Sequence, residues 1–315
     1  MTESVQEPRP DHFLNFYKRY FAATRPAFLL ASLAACLIGL SGAAYSGIHI
    51  QCTTALLTVL FAMLAHAGVN VLNDYFDAMN GTDAVNIERV YPYTGGSRFI
   101  QNGLLSPGQT IIFAYLLLGS ASLGGLWLVW QSGIGLLWIG MLGMLIGWAY
   151  SAAPLQLNSR GLGEVCVLTG FLCLIVGADY VQRHAFSLQP VLVGMPYVLL
   201  VTNLLYINQF PDRKADAGVG KRNLVVMFSL PVAVLGYGLL AASAFAWLMA
   251  MLVTGKLPLW TAISVVPVLF SIPALLMLRQ SAAQPAHLLL PIQLTLASML
   301  GHALLLSIIL FWNMS

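Results

Sequence analysis

Long apolar stretches, broken by short polar segments, dominate the pattern of the chain. Asp, Glu, Lys and Arg are missing from five long intervals, and each can hold one or two bilayer-crossing helices, which need about 20 apolar residues apiece. Divided at their Gly, Pro, Gln and His residues, the apolar stretches predict nine transmembrane helices. These helices are predicted near residues 25–47, 53–73, 110–130, 133–151, 162–179, 189–209, 224–252, 258–278 and 288–312.

The composition also indicates a membrane protein. Hydrophobic residues make up 59% of the 315-residue chain and charged residues 8%, and the mean hydropathy is +0.81, whereas about a quarter of a soluble domain is charged. These values exclude a soluble globular fold and predict an all-α polytopic membrane protein surrounded by a lipid bilayer, with no nucleic-acid partner. The four cysteines lack the spacing of a metal site and are interpreted as small buried groups.

The distribution of basic residues predicts the orientation. With a cytoplasmic N-terminus, twelve of the fourteen Lys and Arg residues lie on the cytoplasmic side, leaving Arg183 and Lys256 outside, as the positive-inside rule requires. Residues 1–24 have no apolar core of a cleavable signal peptide, and they are predicted to form a cytoplasmic segment with an interfacial helix. Residues 25–315 are predicted to form one transmembrane domain of the bacterial inner (plasma) membrane, with the C-terminus outside.

A polar stripe follows the second predicted span. Its four members fall within about 60° of one another around a helix of 100° per residue. Polar side chains on one face of a membrane helix line a cavity or pair with a neighbouring helix, because contact with lipid is costly. The stripe therefore predicts a polar interior beside this helix. Its members are His66, Asn70, Asn73 and Asp77.

The end of the sixth predicted span repeats the outline of the second. "NDYFD" runs from Asn73 to Asp77, and "NQFPD" runs from Asn208 to Asp212, 135 residues further on. Because both helices cross the membrane in the same direction, this parallel repeat predicts two acidic helix ends at one cytoplasmic mouth. Each motif is followed by another acid and by Gly-x-Arg, namely Asp83, Gly96 and Arg98 in the first copy and Asp216, Gly220 and Arg222 in the second.

The residue types of the two motifs indicate a diphosphate site. Carboxylates and amides on facing helices supply the hard oxygen ligands that Mg²⁺ prefers, and substrate phosphates commonly complete its coordination. The basic residues after each motif suit phosphate contacts, and Gly218 and Gly220 allow backbone N–H groups to approach an anion. A diphosphate at the mouth of an apolar helical cavity indicates a lipid diphosphate.

Several motifs, in this order and at these intervals, carry a resemblance to a known family. They are "TRP" (24–26), "NDYFDAMNGTD" (73–83), "TGGSRFIQNGLLSP" (94–107), "AYSAAPLQLNSRGLGE" (149–164) and "NQFPDRKADAGVGKRNLVV" (208–226). On these residues the chain resembles the UbiA superfamily of membrane aromatic prenyltransferases and is most similar to the 1,4-dihydroxy-2-naphthoate prenyltransferase (MenA-like) branch of menaquinone biosynthesis. The resemblance implies nine transmembrane helices around a central cavity with a cytoplasmic-facing active site.

The resemblance also implies an activity, which is Mg²⁺-dependent transfer of a prenyl group from a prenyl diphosphate to an aromatic acceptor such as a quinone precursor. Two Mg²⁺ ions are implied, one held by Asn73 and Asp77 and one by the second motif. The implied metal ligands are Asn73, Asp77, Asp83, Asp212 and Asp216, with Asp74 as a further candidate.

Residue roles in binding and catalysis follow from the same resemblance. Basic groups would neutralise the diphosphate, and aromatic faces would shield the allylic cation. The implied substrate contacts are Asn73, Tyr75, Arg98, Asn208, Lys221 and Arg222. The implied catalytic residues are Asp77, Tyr150, Tyr206 and Asp212.

Other interpretations stay open at this point. Gln156 and Asn158 stand where related loops often carry basic residues, so the acceptor could instead be 4-hydroxybenzoate, homogentisate or a tetrapyrrole-linked substrate. A secondary transporter also has internal repeats and intramembrane polar groups, but its sites lie near the bilayer midplane, whereas both acidic clusters here lie at helix ends. The tyrosines also fit an interfacial aromatic belt, and His66 also fits a hydrogen-bonded contact between helices.

Overall fold

The computed structural model describes residues 7–313, and within that range the regular structure is helical throughout, as predicted. Short 3₁₀ turns occur at Pro10–Phe13, Leu157–Arg160, Leu259–Ser264 and Pro285–His287. The α-helices are α1 (Phe16–Ala23), α2 (Pro26–Tyr45), α3 (Cys52–Met79), α4 (Thr82–Val85), α5 (Pro107–Ser132), α6 (Gly135–Ser151), α7 (Gly163–Arg183), α8 (Gln189–Gly218), α9 (Leu224–Met227), α10 (Leu230–Val253), α11 (Val265–Val268), α12 (Ser271–Ser281) and α13 (Leu289–Trp312).

The described helices account for eight of the nine predicted spans by length and composition. The fourth predicted span corresponds to α6, which is apolar but has 17 residues, fewer than the other spans. The structure therefore establishes a polytopic membrane fold without confirming the count of nine. In the predicted N-terminal segment, α1 forms near the expected interfacial helix, while residues 1–6, and residues 314–315 of the predicted transmembrane domain, lie outside the described residues.

The eighth predicted span is not one continuous helix. Residues 258–278 form a 3₁₀ turn, then α11, then the start of α12. Pro267 lies inside α11 and Pro273 lies in the first turn of α12. Because proline lacks a backbone N–H and crowds the preceding turn, a regular helix does not extend through this segment.

Helix ends elsewhere follow local sequence signals. Ser106 and Gln109 form a reciprocal capping box at the start of α5, which also has Pro107 at its first position. The C-terminal end of α3 lies at Met79. The helix stops before Gly81, whose φ of +83° suits glycine. The helix therefore extends six residues past its predicted end, and it carries Asn73 to Asp77 of the first acidic motif.

Helix α2 is central to the packing and contacts α3, α7, α8 and α13. Gly39 lets α2 approach α7 so closely that a Cβ there would collide with the backbone of Ile175, in the way that small residues bring membrane helices together. The half of the protein formed by α8 to α13 is filled by a continuous core that includes Tyr237, Leu248 and Leu278. The half formed by α2 to α7 encloses a cavity.

Candidate active site

A cavity of about 650 Å³ lies among α2, α3, α5, α6, α7 and α8. Along α6 it is lined by Gly140, Gly143 and Gly147, where the missing side chains leave room. At one end it is lined by acids, amides and a lysine from the ends of α3 and α8 and from the loops that follow them. This volume is in the range of small-molecule sites, and the lining suits a ligand with a polar head and an apolar tail.

The predicted polar stripe of α3 lines this cavity along its whole length, which confirms that it faces the interior. Its members keep helical spacing because α3 continues past Asp77. Asn73 Nδ2 donates to Asp77 Oδ2 at 2.5 Å, and Asn70 Nδ2 donates to the carbonyl oxygen of Thr24 at 3.2 Å. The members that line the cavity are His66, Asn70, Asn73 and Asp77.

The second motif lines the same cavity from α8. Asp212 accepts a hydrogen bond of 2.7 Å from Asn86 Nδ2 and one of 3.4 Å from the backbone N–H of Gly95. Asp216 accepts one of 2.7 Å from Asn223 Nδ2. The acids of this motif are therefore oriented by amides from two different loops. The members that line the cavity are Asn208, Asp212 and Asp216.

Lys221 joins the two motifs. Its Nζ lies 2.6 Å from Asp77 Oδ1 and 3.5 Å from Asp216 Oδ1. Burial alone would lower the pKa of Lys221, but the two carboxylates outweigh it and hold the pKa above its ordinary value. A single buried ammonium thus pairs with one carboxylate from each helix end, and the structure brings the two motifs together at one mouth.

Asp74 and Asp83 are buried beside the loop that follows the first motif. Asp74 accepts a hydrogen bond of 3.2 Å from the backbone N–H of Ser97. Gly96 has φ +72°, and a Cβ at this position would lie 2.7 Å from Asp83 Oδ2 and 3.2 Å from Asp74 Oδ1. Burial, together with repulsion from Asp77 and Asp74, raises the pKa of Asp83 to about 8.

Two of the three predicted tyrosines lie away from the cavity. Tyr150 lines it. Tyr206 is buried between α8 and α10, where Gly236 leaves room for its hydroxyl, and Tyr75 packs edge-to-face on Phe76 with ring centroids 5.2 Å apart. Neither Tyr75 nor Tyr206 lines the cavity, so the structure supports a cavity-facing role for Tyr150 alone among the three.

Two of the three predicted phosphate-binding residues also lie outside the cavity lining. The Arg98 guanidinium donates to the carbonyl oxygen of Asp83 and lies 3.8 Å from the Glu7 carboxylate, so it holds the loop together. Arg222 is exposed, and its backbone N–H donates to the carbonyl oxygen of Ser159 at 2.9 Å. Lys221 is the predicted basic residue that reaches the acids.

The sequence reasoning missed several groups that the structure adds to the mouth. Asn86 and Gly95 orient Asp212, and Asn223 orients Asp216. Arg25 lines the cavity, 4.0 Å from Asp74 and with its guanidinium 4.4 Å from the Phe28 ring centroid. Arg25 and Asn223 lie inside motifs that carried the family resemblance. The sequence therefore pointed to both residues, but the prediction gave neither of them a function.

The model of the "UbiA prenyltransferase family" matches residues 32–311 of the chain. The chain belongs to the UbiA prenyltransferase family. It is therefore an enzyme of the prenyltransferase class and an integral membrane protein, and the secondary-transporter alternative is set aside.

Several curated relatives have names that specify a naphthoate or a naphthoquinone. The chain is 27% identical over 246 residues to the 1,4-dihydroxy-2-naphthoate octaprenyltransferase of Bacillus subtilis (strain 168), a match covering 75% of this chain and 74% of the relative. It is 29% identical over 214 residues to the Escherichia coli (strain K12) enzyme of the same name, covering 66% and 67%. The 2-carboxy-1,4-naphthoquinone phytyltransferase of Synechocystis sp. is 28% identical over 218 residues, covering 66% of each chain.

Solved structures share the fold. A UbiA homolog from Archaeoglobus fulgidus, bound to DMAPP and Mg²⁺, superposes with a TM-score of 0.68 at 15% identity, covering 93% of this chain and 99% of that one. A digeranylgeranylglyceryl phosphate synthase superposes with a TM-score of 0.66 at 16% identity, covering 94% and 99%. At these identities the likeness concerns the fold alone.

The donor set at the mouth suits a hard divalent cation that binds together with phosphate. Within residues 7–313, no group of three or more His, Cys, Asp and Glu side chains is arranged to hold a metal ion by itself. The acids and amides that line the mouth nonetheless supply oxygen ligands of the kind that Mg²⁺ prefers, and Mg²⁺ commonly completes its coordination with substrate oxygens and water. These residues therefore fit Mg²⁺ in company with a diphosphate.

Proposed function

We propose that this UbiA family member transfers a prenyl group from a prenyl diphosphate to 1,4-dihydroxy-2-naphthoate, with two Mg²⁺ ions at the cavity mouth. The acceptor is inferred from the curated relatives, of which two are named for 1,4-dihydroxy-2-naphthoate and one for 2-carboxy-1,4-naphthoquinone. The metal is inferred from the acids at the mouth and from the Mg²⁺ and DMAPP named for the Archaeoglobus fulgidus protein. Asn73 and Asp77 would hold one ion, and Asp212 and Asp216 the other.

The observation that carries the proposal is the convergence of both acidic motifs on one apolar cavity. A prenyl diphosphate has a polyanionic head and a hydrocarbon tail, and this cavity offers acids for a metal at its mouth and apolar walls beyond. Lys221 supplies a positive charge at the point where the two motifs meet. The residues are thus distributed as the two ends of such a substrate require.

Each group in the site has a definable task. When bound, Mg²⁺ would offset the charge that develops on the diphosphate leaving group. Lys221 would bind the diphosphate oxygens, and Tyr150 would present an aromatic face to the allylic carbon, which becomes electron-poor as the C–O bond breaks. The apolar walls would exclude water and hold the tail, so that the electron-rich acceptor ring is the nucleophile within reach.

The proposal is tested by incubating detergent-purified protein with Mg²⁺, prenyl diphosphates of mixed length and a panel of aromatic acids, and identifying products by mass. Asp77→Asn and Asp212→Asn should each lower turnover by about 100-fold or more, since each removes a charged ligand from the reacting centre. EDTA should abolish turnover. Asp11→Asn is the matched control, because Asp11 is an exposed acid outside the cavity.

Two outcomes would redirect the proposal. Full activity in either Asp77→Asn or Asp212→Asn would contradict the two-metal arrangement. A product formed from 4-hydroxybenzoate, homogentisate or a tetrapyrrole-linked acid, and none from the naphthoate, would keep the prenyl transfer and replace the acceptor.

We further propose that the mouth faces the cytoplasm and that residues 25–315 act as one catalytic domain. The support is the charge distribution, with twelve of fourteen basic residues on the side of both acidic motifs. In a variant without native cysteines, a cysteine at exposed Ala217 should react with an impermeant thiol reagent only after the cytoplasmic face is opened. A cysteine at Ser187 should react in intact cells, and the reverse pattern would invert the orientation.

A further inference from the structure

His66 lines the cavity, yet the proposed function gives it no task. Its Nδ1 shares a hydrogen bond of 2.7 Å with Ser32 Oγ of α2. Its ring meets the Phe171 ring of α7 edge-to-face, with centroids 5.7 Å apart and planes at 88°. These two contacts fix the imidazole between three helices, and no hydrogen bond to Nε2 is found within residues 7–313.

The neighbouring asparagines of the polar stripe bond to the protein through their amide nitrogens. Asn70 Nδ2 donates to the backbone of Thr24, and Asn73 Nδ2 donates to Asp77. His66 is bonded to the protein through Nδ1, which anchors its ring and leaves Nε2 without a protein partner among the described residues. An uncommitted polar atom beside a bound hydrocarbon would be costly, so its position indicates a polar ligand rather than the prenyl tail.

A second histidine shows that this anchoring alone does not make a site. His302 of α13 has its Nδ1 3.0 Å from the carbonyl oxygen of Ser264, and its Nε2 also lacks a partner. His302 is fully buried in the packed half of the protein and does not line the cavity. The two histidines thus share an anchored Nδ1 and differ in access to the cavity.

His66 lies deeper in the cavity than Asn73, at the level where a ligand just beyond the diphosphate would bind. It precedes Asn73 by seven residues, which corresponds to about 10 Å along the helix axis. Phe28, Ser32 and Phe171 line the cavity together with it, so this part of the wall combines aromatic rings with hydroxyl and imidazole groups. An aromatic ring that carries a hydroxyl has the matching chemistry.

We propose that His66, held by Ser32, hydrogen-bonds through Nε2 to a hydroxyl of the aromatic acceptor and so selects and orients it. This inference rests on the proposed function. A hydroxyl can donate or accept, so the contact forms whichever ring nitrogen carries the proton. A fixed contact of this kind would direct one ring carbon of the acceptor toward the allylic carbon of the prenyl diphosphate.

Two substitutions of His66 test the contributions of the two ring nitrogens one at a time. Asn at this position places its amide near Nδ1 and keeps the Ser32 contact, whereas Gln places its amide near Nε2. His66→Asn should raise the KM for the acceptor about tenfold, as expected for the loss of one buried hydrogen bond. The KM for the prenyl diphosphate should stay unchanged, and His66→Gln should retain the wild-type KM for the acceptor.

A substrate analogue supplies an independent readout. The methyl ether of the acceptor hydroxyl, used as a competitive inhibitor, should bind wild-type protein more weakly than the free hydroxyl compound does. That discrimination should vanish in His66→Asn, because the group that senses the hydroxyl is gone. His302→Asn and His302→Gln are the matched controls, and both should leave the two KM values and the discrimination unchanged.

The outcomes separate this inference from the function on which it rests. If wild-type protein prenylates no aromatic acceptor, the proposed function fails whatever the variants do. If wild-type protein is active and His66→Asn keeps the acceptor KM while His66→Gln loses it, the Ser32 contact is what matters and the inference is overturned. Thermal unfolding of each purified variant, compared with wild type, ensures that a raised KM reflects binding by folded protein.

Discussion

Gly96→Ala tests how closely the backbone must pass the acids of the first motif. Gly96 has φ +72°, a conformation that costs an L-residue about 1–2 kcal/mol. In addition, the new Cβ would lie 2.7 and 3.1 Å from the carboxylate oxygens of Asp83 and 3.2 Å from Asp74 Oδ1. Contacts under 3.0 Å are not tolerated, so the Asp83 carboxylate must move. Gly81→Ala and Gly103→Ala carry the same backbone strain, at φ +83° and +71°, with nothing within 4 Å of the new Cβ.

Thermal stability and the Mg²⁺ requirement of the enzyme should respond differently to the three substitutions. All three variants should lose thermal stability because they share the backbone strain, and Gly96→Ala should lose the most because Asp83 must also move. Gly96→Ala alone should raise the Mg²⁺ concentration for half-maximal prenyl transfer, by about tenfold if displacement of Asp83 weakens metal binding by about 1.4 kcal/mol. The measurement is a Mg²⁺ titration of product formation at saturating substrates. An unchanged titration in Gly96→Ala, or an equal shift in Gly81→Ala, would refute the role of the acids beside this glycine.

Two further predictions concern charge at the mouth. Lys221→Met should raise the KM for the prenyl diphosphate about tenfold to hundredfold, since a hydrogen bond to a charged group contributes about 1.5–3 kcal/mol. Lys214→Met, which removes an exposed lysine paired with Glu88, should leave that KM unchanged, and equal effects would contradict a specific role for Lys221. Because the pKa of Asp83 is raised to about 8, metal-free protein should lose stability as the pH rises toward 8, and its Mg²⁺ affinity should rise over the same range. Unfolding temperatures and Mg²⁺ binding from pH 6 to 9 check this, and Asp83→Asn should flatten both profiles.

The parts of the site that the sequence predicted well are those that depend on a single helix. His66, Asn70, Asn73 and Asp77 share one face because helical periodicity alone fixes their relative directions, and all four line the cavity. The same order of residues predicted that the second motif, on α8, faces the same space, and Asn208, Asp212 and Asp216 line the cavity. The charge distribution predicted that both helices cross the membrane in the same direction. Their acidic ends were therefore expected on the same side of the membrane.

The parts that failed depend on how separate segments pack. Tyr206 belongs to the same helix as Asp212, but its face is turned to α10 by the space at Gly236, which no local pattern of α8 contains. Lys221 and Arg222 are adjacent and chemically alike, yet the fold of the loop after α8 buries one and exposes the other. Asn86 reaches Asp212 across 126 residues of chain, and such a contact has no signature in either segment.

The repeat in the sequence is matched by only part of the structure. Both acidic motifs lie at one mouth, but the space beneath them is unequal, because α6 presents glycines to the cavity whereas the other half is filled by Tyr237, Leu248 and Leu278. On the proposed function, the two motifs would bind the head of one ligand, and the open half of the fold would accommodate its tail. On this reasoning the filled half acts as a rigid support for Asp212 and Asp216, and the open half determines which tails and acceptors enter. Substitutions that change substrate choice should then cluster on α2, α3 and α5 to α7, and not on α10 to α13.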